Sequence, residues 1–219
     1  MNFYKKMGIR SENLRWHRHG EDELAFYAKD AYDIQFNFPM GFQELEGVHN
    51  RTDYDLTQHQ KFSSKDLTYL DQENGNKRYT PYVIETSAGL TRNVLMVLSD
   101  AYEEEQLEDG DTRVVLHFHP LIAPVKVAVL PLVKKDGLPD KAKEILAELR
   151  EFYTVSYDQN VAIGKRYRRQ DEIGTPYCIT YDFDSVEDGA VTVRDRDTME
   201  QERIKIEDLK DYFAEKFNY

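Results

Sequence analysis

One arginine in this sequence follows a turn between a predicted strand and a predicted helix, which is an arrangement suited to anion binding. The stretch from Tyr79 to Tyr102 predicts a strand, a turn ending near Gly89, and a helix with Arg92 in its first turn. A cation there opposes the helix dipole and costs about 0.3–1 kcal/mol unless an anion lies nearby. With an anion present, the free N–H groups and the guanidinium both stabilise it. The residues alone therefore fit two interpretations equally well: a nucleotide site, or a structural arginine paired with a carboxylate.

The predicted helix that contains Arg92 is otherwise apolar on almost every side. Its apolar residues are Leu90, Val94, Leu95, Met96, Val97, Leu98 and Ala101. This pattern is typical of a buried helix, so we expect it to be buried with the arginine at its exposed end. On the strand before it, Glu85 and Ser87 alternate and flank the turn.

Two carboxylates occupy alternate positions of another predicted strand, Phe42 to Val48. Glu44 and Glu46 are expected to share one face, about 6–7 Å apart. That spacing suits a bound cation, either an ammonium group or Mg²⁺. The alternative is an ordinary solvent-facing strand in which Arg51 pairs with one of the two carboxylates.

Composition limits the function classes. The chain has 219 residues and a formal net charge of -12, so it has no overall positive field for nucleic acids. Its single cysteine, Cys178, excludes an intramolecular disulfide and a cysteine-based zinc site. The alternating histidines His17 and His19 have no carboxylate cluster adjacent in sequence, and we assign them no metal. No apolar run approaches the roughly 18 residues that a membrane span needs, so we expect a soluble protein from a reducing compartment.

The patterns predict two domains with a boundary in the Pro-bounded segment near residue 122. Residues 1–122 contain mainly alternating strands, whereas residues 123–219 alternate strand and helix, as in a compact α/β domain. In the second domain, one predicted helix has a local basic patch formed by Lys165, Arg166, Arg168 and Arg169. This patch suits contacts with phosphates and equally suits a solvated helix with local ion pairs such as Arg168–Glu172.

Four blocks resemble a known family. They are GFQELEGVHNRTDYDL, PYVIETSAGLTRNVL, APVKVAVLPLVKK and GKRYRRQDEIGTPYCITYDF. In this order they resemble the C-terminal half of the dimeric-type glycyl-tRNA synthetases, which are class II aminoacyl-tRNA synthetases. The resemblance implies a two-domain α+β and α/β fold. Residues 1–122 would be the later part of an antiparallel-sheet catalytic domain, and residues 123–219 a mixed-sheet anticodon-binding domain.

The resemblance also implies roles for individual residues. Arg92 matches the motif 3 arginine that holds ATP, and Gly89, Leu90 and Thr91 form the turn before it. Glu85 and Ser87, with Gly89, match positions that contact glycine. Glu44 matches a family carboxylate that orders the nucleotide and ammonium side of the pocket. Leu45 follows it in the same family element and is expected near the nucleotide. Glu46 and Arg51 match family positions less securely. The family's chemistry implies ATP with Mg²⁺ as substrate; we assign no metal ligand, and Glu44 is the candidate position for that Mg²⁺. It further implies glycine and tRNA(Gly) as partners, a homodimer and a cytoplasmic location, and it makes the basic patch of Lys165, Arg166, Arg168 and Arg169 a candidate tRNA contact.

Part of the family pattern is not found. Motif 1 forms the dimer interface and motif 2 supplies the arginine for the α-phosphate, and we recognise neither before Asp33. We therefore expect a fragment of the enzyme that does not form glycyl-adenylate by itself. The alternative is a non-catalytic, synthetase-like accessory or nucleic-acid-binding subunit. The joint presence of Glu44, Glu85, Ser87 and Arg92 favours the first interpretation.

Overall fold

The computed structural model describes residues 1–107 and 110–217. The chain divides into two compact units. The first unit comprises residues 1–5 and 9–99, and the second comprises residues 6–8 and 100–219. The predicted domain boundary at residue 122 stays a prediction. No helix in the described part of the chain is long and apolar enough to cross a membrane.

The first unit is built on a four-stranded antiparallel sheet. Its helices are α1 (Asn2–Lys6), α2 (Tyr54–Ser63) and α3 (Leu90–Ala101), which ends at the start of the second unit. Its strands are β1 (Leu14–Arg18), β2 (Asp30–Phe38), β3 (Gly41–Asn50), β4 (Tyr69–Asp71), β5 (Lys77–Tyr79) and β6 (Ile84–Ala88). The sheet order is β1-β2-β3-β6, and β4 and β5 form a separate hairpin.

The alternating sequence of β2 gives this sheet one covered face and one open face. Ile34, Phe36 and Phe38 are buried, together with Tyr4 and Leu45, and they form the core of the unit. The odd-numbered residues of β2 point away from that core because successive side chains of a strand alternate between faces. We call the face that carries Asp33 and Gln35 the open face; Ala31 and Asp33 on it are themselves buried, whereas Asn37 is exposed.

A β-bulge interrupts the pairing of β2 with β3. Ile34 is the partner of Glu46, whereas the next residue, Gln35, is the partner of Glu44, so Leu45 is the extra residue. Cross-strand partners project from the same face of a sheet. The bulge therefore turns Glu44 to the open face and leaves Glu46 on the covered face, where the Tyr4 hydroxyl donates a 2.7 Å hydrogen bond to its carboxylate. The expectation that Glu44 and Glu46 share a face is wrong.

The second unit contains a mixed five-stranded sheet. Its strands are β7 (Tyr102–Gln106), β8 (Thr112–Leu116), β9 (Val127–Pro131), β10 (Val155–Tyr157), β11 (Tyr177–Tyr181), β12 (Ala190–Asp195) and β13 (Gln201–Lys205). Its helices are α4 (Leu138–Leu149), α5 (Ile163–Glu172), α6 (Asp184–Asp188) and α7 (Leu209–Lys216). The sheet order is β10-β9-β11-β12-β13, with β9 parallel to both of its neighbours. β9 and β11 are buried throughout, and the mostly apolar sequence of β9 is typical of a strand covered on both faces.

Gly174 is a position in this unit where a side chain has no room. Its φ is +77°, and a Cβ would lie 2.4 Å from Phe118 Cδ2 and 2.8 Å from the Leu116 carbonyl oxygen. We expect Gly174→Ala to lower the free energy of unfolding by about 2–4 kcal/mol, since it combines left-handed strain with overpacking. The urea midpoint measures this effect.

Gly164 provides the matched control for that substitution. It lies in α5, and a Cβ added there meets no atom within 4 Å. Gly164→Ala is therefore expected to be neutral or to stabilise by up to about 1 kcal/mol. Equal urea midpoints for the two variants would contradict the steric explanation.

Candidate functional site

The strand register brings three predicted site residues to the open face. Gly47 pairs with both Asp33 and Ser87, and His49 pairs with both Ala31 and Glu85. Glu85 and Ser87 of β6 therefore project from the same face as Asp33. Glu44 joins them only because of the bulge at Leu45.

Arg92 lies at the start of α3 and contacts the strand that holds Glu44. The helix begins at Leu90, and Arg92 Nη1 donates a 2.6 Å hydrogen bond to the carbonyl oxygen of Glu44. The guanidinium is exposed, as are Gly89, Leu90 and Thr91. Arg92 is thus held by a neutral carbonyl group, and its positive charge stays available to an anion.

Leu45, the remaining residue predicted near the nucleotide, is 2% exposed. Its side chain belongs to the core of the unit, so only its backbone faces the site.

Arg51 anchors the other end of the open face. Its Nε and Nη2 donate to the two oxygens of Asp55 at 2.6 and 3.2 Å, and its Nη1 donates to Glu85 Oε2 at 2.6 Å. Its guanidinium also lies over the Tyr27 ring, 4.3 Å from the centroid. The hydrogen bonds to Asp55 and Glu85 raise the pKa of Arg51, and Arg51 in turn lowers the pKa of Asp55. Arg51 therefore pairs with Asp55 and Glu85, and not with Glu44 or Glu46 as the sequence suggested.

An open cleft of about 590 Å³ borders this group. It is lined by Arg51, Asp55, Leu56, His59, Val83, Ile84, Glu85 and Thr86. The unit thus has an exposed cation, Arg92, at the start of α3 beside β3 and a fixed carboxylate, Glu85, on β6. Such a surface suits a ligand that has both anionic and cationic groups.

The apolar helix α3 is less buried than its sequence predicts. Met96 is fully buried, but Leu90, Val94, Leu95 and Leu98 are 81%, 52%, 41% and 42% exposed. The expectation of a buried helix is therefore wrong for this structure: Met96 and Ala101 are buried and Val97 is half-buried, but the other four apolar residues are exposed.

The four residues of the predicted basic patch on α5 have different environments. Arg166 is 1% exposed and donates to the carbonyl oxygens of Pro131, Leu132 and Asp158, so it is a packing residue and not a surface cation. Arg168 pairs with Asp111 at 2.6 Å, and not with Glu172. Arg169 pairs with Asp158 at 3.0 Å, and Lys165 is exposed. Three of the four cations are thus at the surface, and the fourth belongs to the domain's interior.

Sequence reasoning missed two groups of polar residues. One is a histidine–aspartate cluster on the open face, formed by His19, Asp33 and His49. The other is a buried ion-pair network around Asp171 in the second unit. Both groups join residues far apart in the chain, and no local spacing signals them.

Comparison with known proteins identifies relatives for the whole chain. Residues 126–216 match the family model described as an anticodon binding domain. A glycine–tRNA ligase of Treponema denticola is 65% identical over 206 residues, which is 92% of this chain and 46% of that protein. Those of Lachnoclostridium phytofermentans and Borrelia hermsii are each 58% identical, and the matches cover all of this chain and 47% and 50% of the relatives.

The chain is homologous to the glycine–tRNA ligases. It spans about half the length of the curated relatives it matches. The resemblance predicted from the four sequence blocks is therefore confirmed. The anticodon-binding domain predicted for the second half is also confirmed, and α4, α5 and α7 surround its mixed sheet.

Proposed function

We propose that this chain is part of a glycine–tRNA ligase that activates glycine with ATP and transfers it to tRNA(Gly). The observation that supports this proposal is the shared position of Glu44, Glu85 and Ser87 at the open face of one sheet, with Arg92 of α3 hydrogen-bonded to the Glu44 carbonyl oxygen. In this proposal the first unit is the later part of a class II catalytic domain. We also propose that the whole enzyme is a cytoplasmic homodimer.

The proposed reaction begins when the carboxylate of glycine attacks the α-phosphate of ATP and displaces pyrophosphate. Arg92 would stabilise the negative charge of the phosphates, since its guanidinium is exposed at the helix start. Gly89, Leu90 and Thr91 would line the nucleotide beside it. The exposed carboxylate of Glu44 suits the Mg²⁺ that accompanies ATP as substrate, because Mg²⁺ typically binds one or two carboxylates together with phosphates.

Glycine would bind at the β6 end of the open face. Glu85 provides a carboxylate for the ammonium group, and Arg51 fixes that carboxylate through a 2.6 Å hydrogen bond. Ser87 lies two residues further along the same strand face and provides a hydroxyl. A fixed carboxylate favours glycine binding because the side chain need not be ordered when the ligand arrives.

The enzyme proposal is tested by a chimaera with a relative. This chain replaces the matching C-terminal segment of the Treponema denticola glycine–tRNA ligase, and glycine-dependent ATP–pyrophosphate exchange is measured. We expect exchange by the chimaera and none by this chain alone. A folded, dimeric chimaera without exchange would favour the alternative, a non-catalytic accessory or nucleic-acid-binding subunit.

The surface cations of α5 are proposed to contact tRNA. We expect the triple change of Lys165, Arg168 and Arg169 to Gln to weaken binding of a tRNA(Gly) transcript to this chain and to flatten its salt dependence. The slope of log K against log salt falls by about 0.7–0.9 for each lost phosphate contact. Filter binding between 50 and 200 mM salt measures it.

A matched control for this triple variant uses lysines on another helix. Lys141 and Lys143 of α4 are exposed and pair with Glu144 and Asp140. Changing both to Gln should leave the salt slope unchanged. The same slope for wild type and the α5 triple variant would assign the patch to structure alone.

A further inference from the structure

Three metal-ligating side chains converge on the open face of the first unit. His19 directly follows β1, Asp33 lies in β2 and His49 lies in β3. One donor atom from each lies within 4.8 Å of the donor atoms of the other two. Two of them lie in neighbouring strands and His19 directly follows a third, so the sheet itself fixes their relative positions.

Ala31 is the reason that the two imidazoles can approach each other. His49 pairs with Ala31 from one side, and the His19 N–H donates to the Ala31 carbonyl oxygen from the other. The methyl group of Ala31 is too short to separate the two rings, whose centroids are 5.6 Å apart. Asp33, the next residue on this face of β2, then lies beside both rings.

Two donor separations are close to those around a tetrahedral ion. His19 Nε2 is 2.9 Å from Asp33 Oδ2, and His49 Nε2 is 3.7 Å from Asp33 Oδ1. Bonds of about 2.0–2.1 Å at tetrahedral angles place ligand atoms about 3.3–3.4 Å apart. The two values lie on either side of this separation but end on different oxygens of Asp33, so rotation of the side chains is needed to bring one oxygen to both imidazoles.

His49 has a buried nitrogen that the described part of the protein leaves without a hydrogen bond. This atom is Nε2, and its distance of 3.7 Å from Asp33 is too long for a hydrogen bond. Gly47 leaves space beside it, because a Cβ at residue 47 would lie 3.0 Å from Nε2. A buried unsatisfied nitrogen requires an explanation, and a bound ion is one.

The surroundings of the cluster also suit a metal. The side chains of His19, Asp33 and His49 are 20%, 10% and 26% exposed, so an ion can enter from solvent. His49 Nδ1 lies 4.0 Å from Glu85 Oε2, and metal-binding histidines commonly present their second nitrogen to a carboxylate.

We propose that His19, Asp33 and His49 bind one divalent transition-metal ion, with Zn²⁺ as the best fit. Two imidazole nitrogens and one carboxylate oxygen form a ligand set typical of Zn²⁺, with a fourth position for water. Mg²⁺ and Ca²⁺ prefer oxygen ligands and suit this cluster poorly. The site stands on its own geometry and does not depend on the proposed ligase function.

The test is a metal titration of the untagged chain. Competition with a chromophoric chelator measures Zn²⁺ affinity and stoichiometry, and the visible spectrum of added Co²⁺ reports the coordination. We expect one Zn²⁺ per chain and a tetrahedral Co²⁺ spectrum. His49→Ala and Asp33→Asn should each weaken Zn²⁺ binding at least about 10-fold. Mutating even a residue that only hydrogen-bonds to a metal ligand lowers metal affinity by about that factor.

Two further variants separate metal binding from folding. Gly47→Ala retains all three ligands but crowds His49 Nε2, and it should also weaken binding. His117→Ala is the control, because His117 lies in the other unit, beside Glu105 and Asp197. The His117→Ala variant should bind Zn²⁺ with wild-type affinity. Thermal melts without metal check that each variant is folded, and His49→Gln replaces His49→Ala if the latter is not. Absence of stoichiometric Zn²⁺ binding by wild type, or wild-type affinity in the folded His49 variant, would overturn the proposal.

Discussion

Replacing Arg92 with Ala in the chimaeric ligase is expected to lower kcat for ATP–pyrophosphate exchange about 10²- to 10³-fold, the range observed when one preorganised charge-stabilising donor is removed. The physical reason is that the exposed guanidinium is held at the start of α3 by the Glu44 carbonyl oxygen, and no carboxylate within residues 1–107 and 110–217 forms an ion pair with it. The loss should appear in kcat more than in the KM for glycine, because the charge of the phosphates changes in the transition state.

Two variants control this result. Arg92→Lys retains the charge but loses the planar fork, so an intermediate rate is expected. Arg78→Ala removes another exposed arginine from the same unit. Arg78 lies in β5 of the β4–β5 hairpin and pairs with Asp66. Its exchange rate should match wild type. An unchanged kcat in the Arg92→Ala chimaera would contradict the phosphate-stabilising role and would show that Arg92 only connects β3 and α3 structurally.

The largest stability effect is expected at Asp171, in the second unit. Its carboxylate is 1% exposed and accepts two hydrogen bonds from Arg194, at 2.8 and 3.1 Å, and one from Arg113 at 3.2 Å. Arg194 also lies over the Tyr167 ring. Asp171→Asn would leave the buried Arg194 facing a neutral amide, and it would remove one of the two carboxylates that pair with the buried Arg113, which keeps Glu105. We expect a loss of about 3–5 kcal/mol in the free energy of unfolding, as for other broken buried ion pairs.

Chemical denaturation followed by circular dichroism measures this loss, and Asp136→Asn is its control. Asp136 is exposed and has a φ of +57°, a conformation that Asn also tolerates. The control should lie within about 0.5 kcal/mol of wild type. Asp171→Asn with wild-type stability would show that other groups compensate the two arginines.

Local patterns were sufficient for several elements of the fold. The alternation of Ala31–Phe38 is enough to predict β2 and its buried face, and the apolar run of residues 125–132 is enough to predict the buried strand β9. The stripe of Ala142, Ile145, Leu146 and Leu149 predicts α4, and all four residues are buried. These predictions succeeded because each depends only on the period of side chains along one element.

Features that depend on pairing between elements were not predictable in the same way. The bulge at Leu45 shifts the register by one residue and reverses which face Glu44 occupies. Arg166 looked like its neighbours in a basic run, but its position on α5 directs it to carbonyl groups of the interior. Neither outcome is encoded in local spacing, since each requires knowledge of the partner strand or helix.

The sequence by itself determined the homology, the anticodon-binding domain and the residues to inspect, among them Arg92, Glu44, Glu85 and Ser87. Only the tertiary structure decided that Arg92 contacts the Glu44 carbonyl, that Arg51 holds Glu85, and that His19, Asp33 and His49 meet over Ala31. The physical reason is that chemistry at a site depends on distances of a few ångströms between side chains. In this sheet those distances are set by strand register, which joins residues that are far apart in the chain.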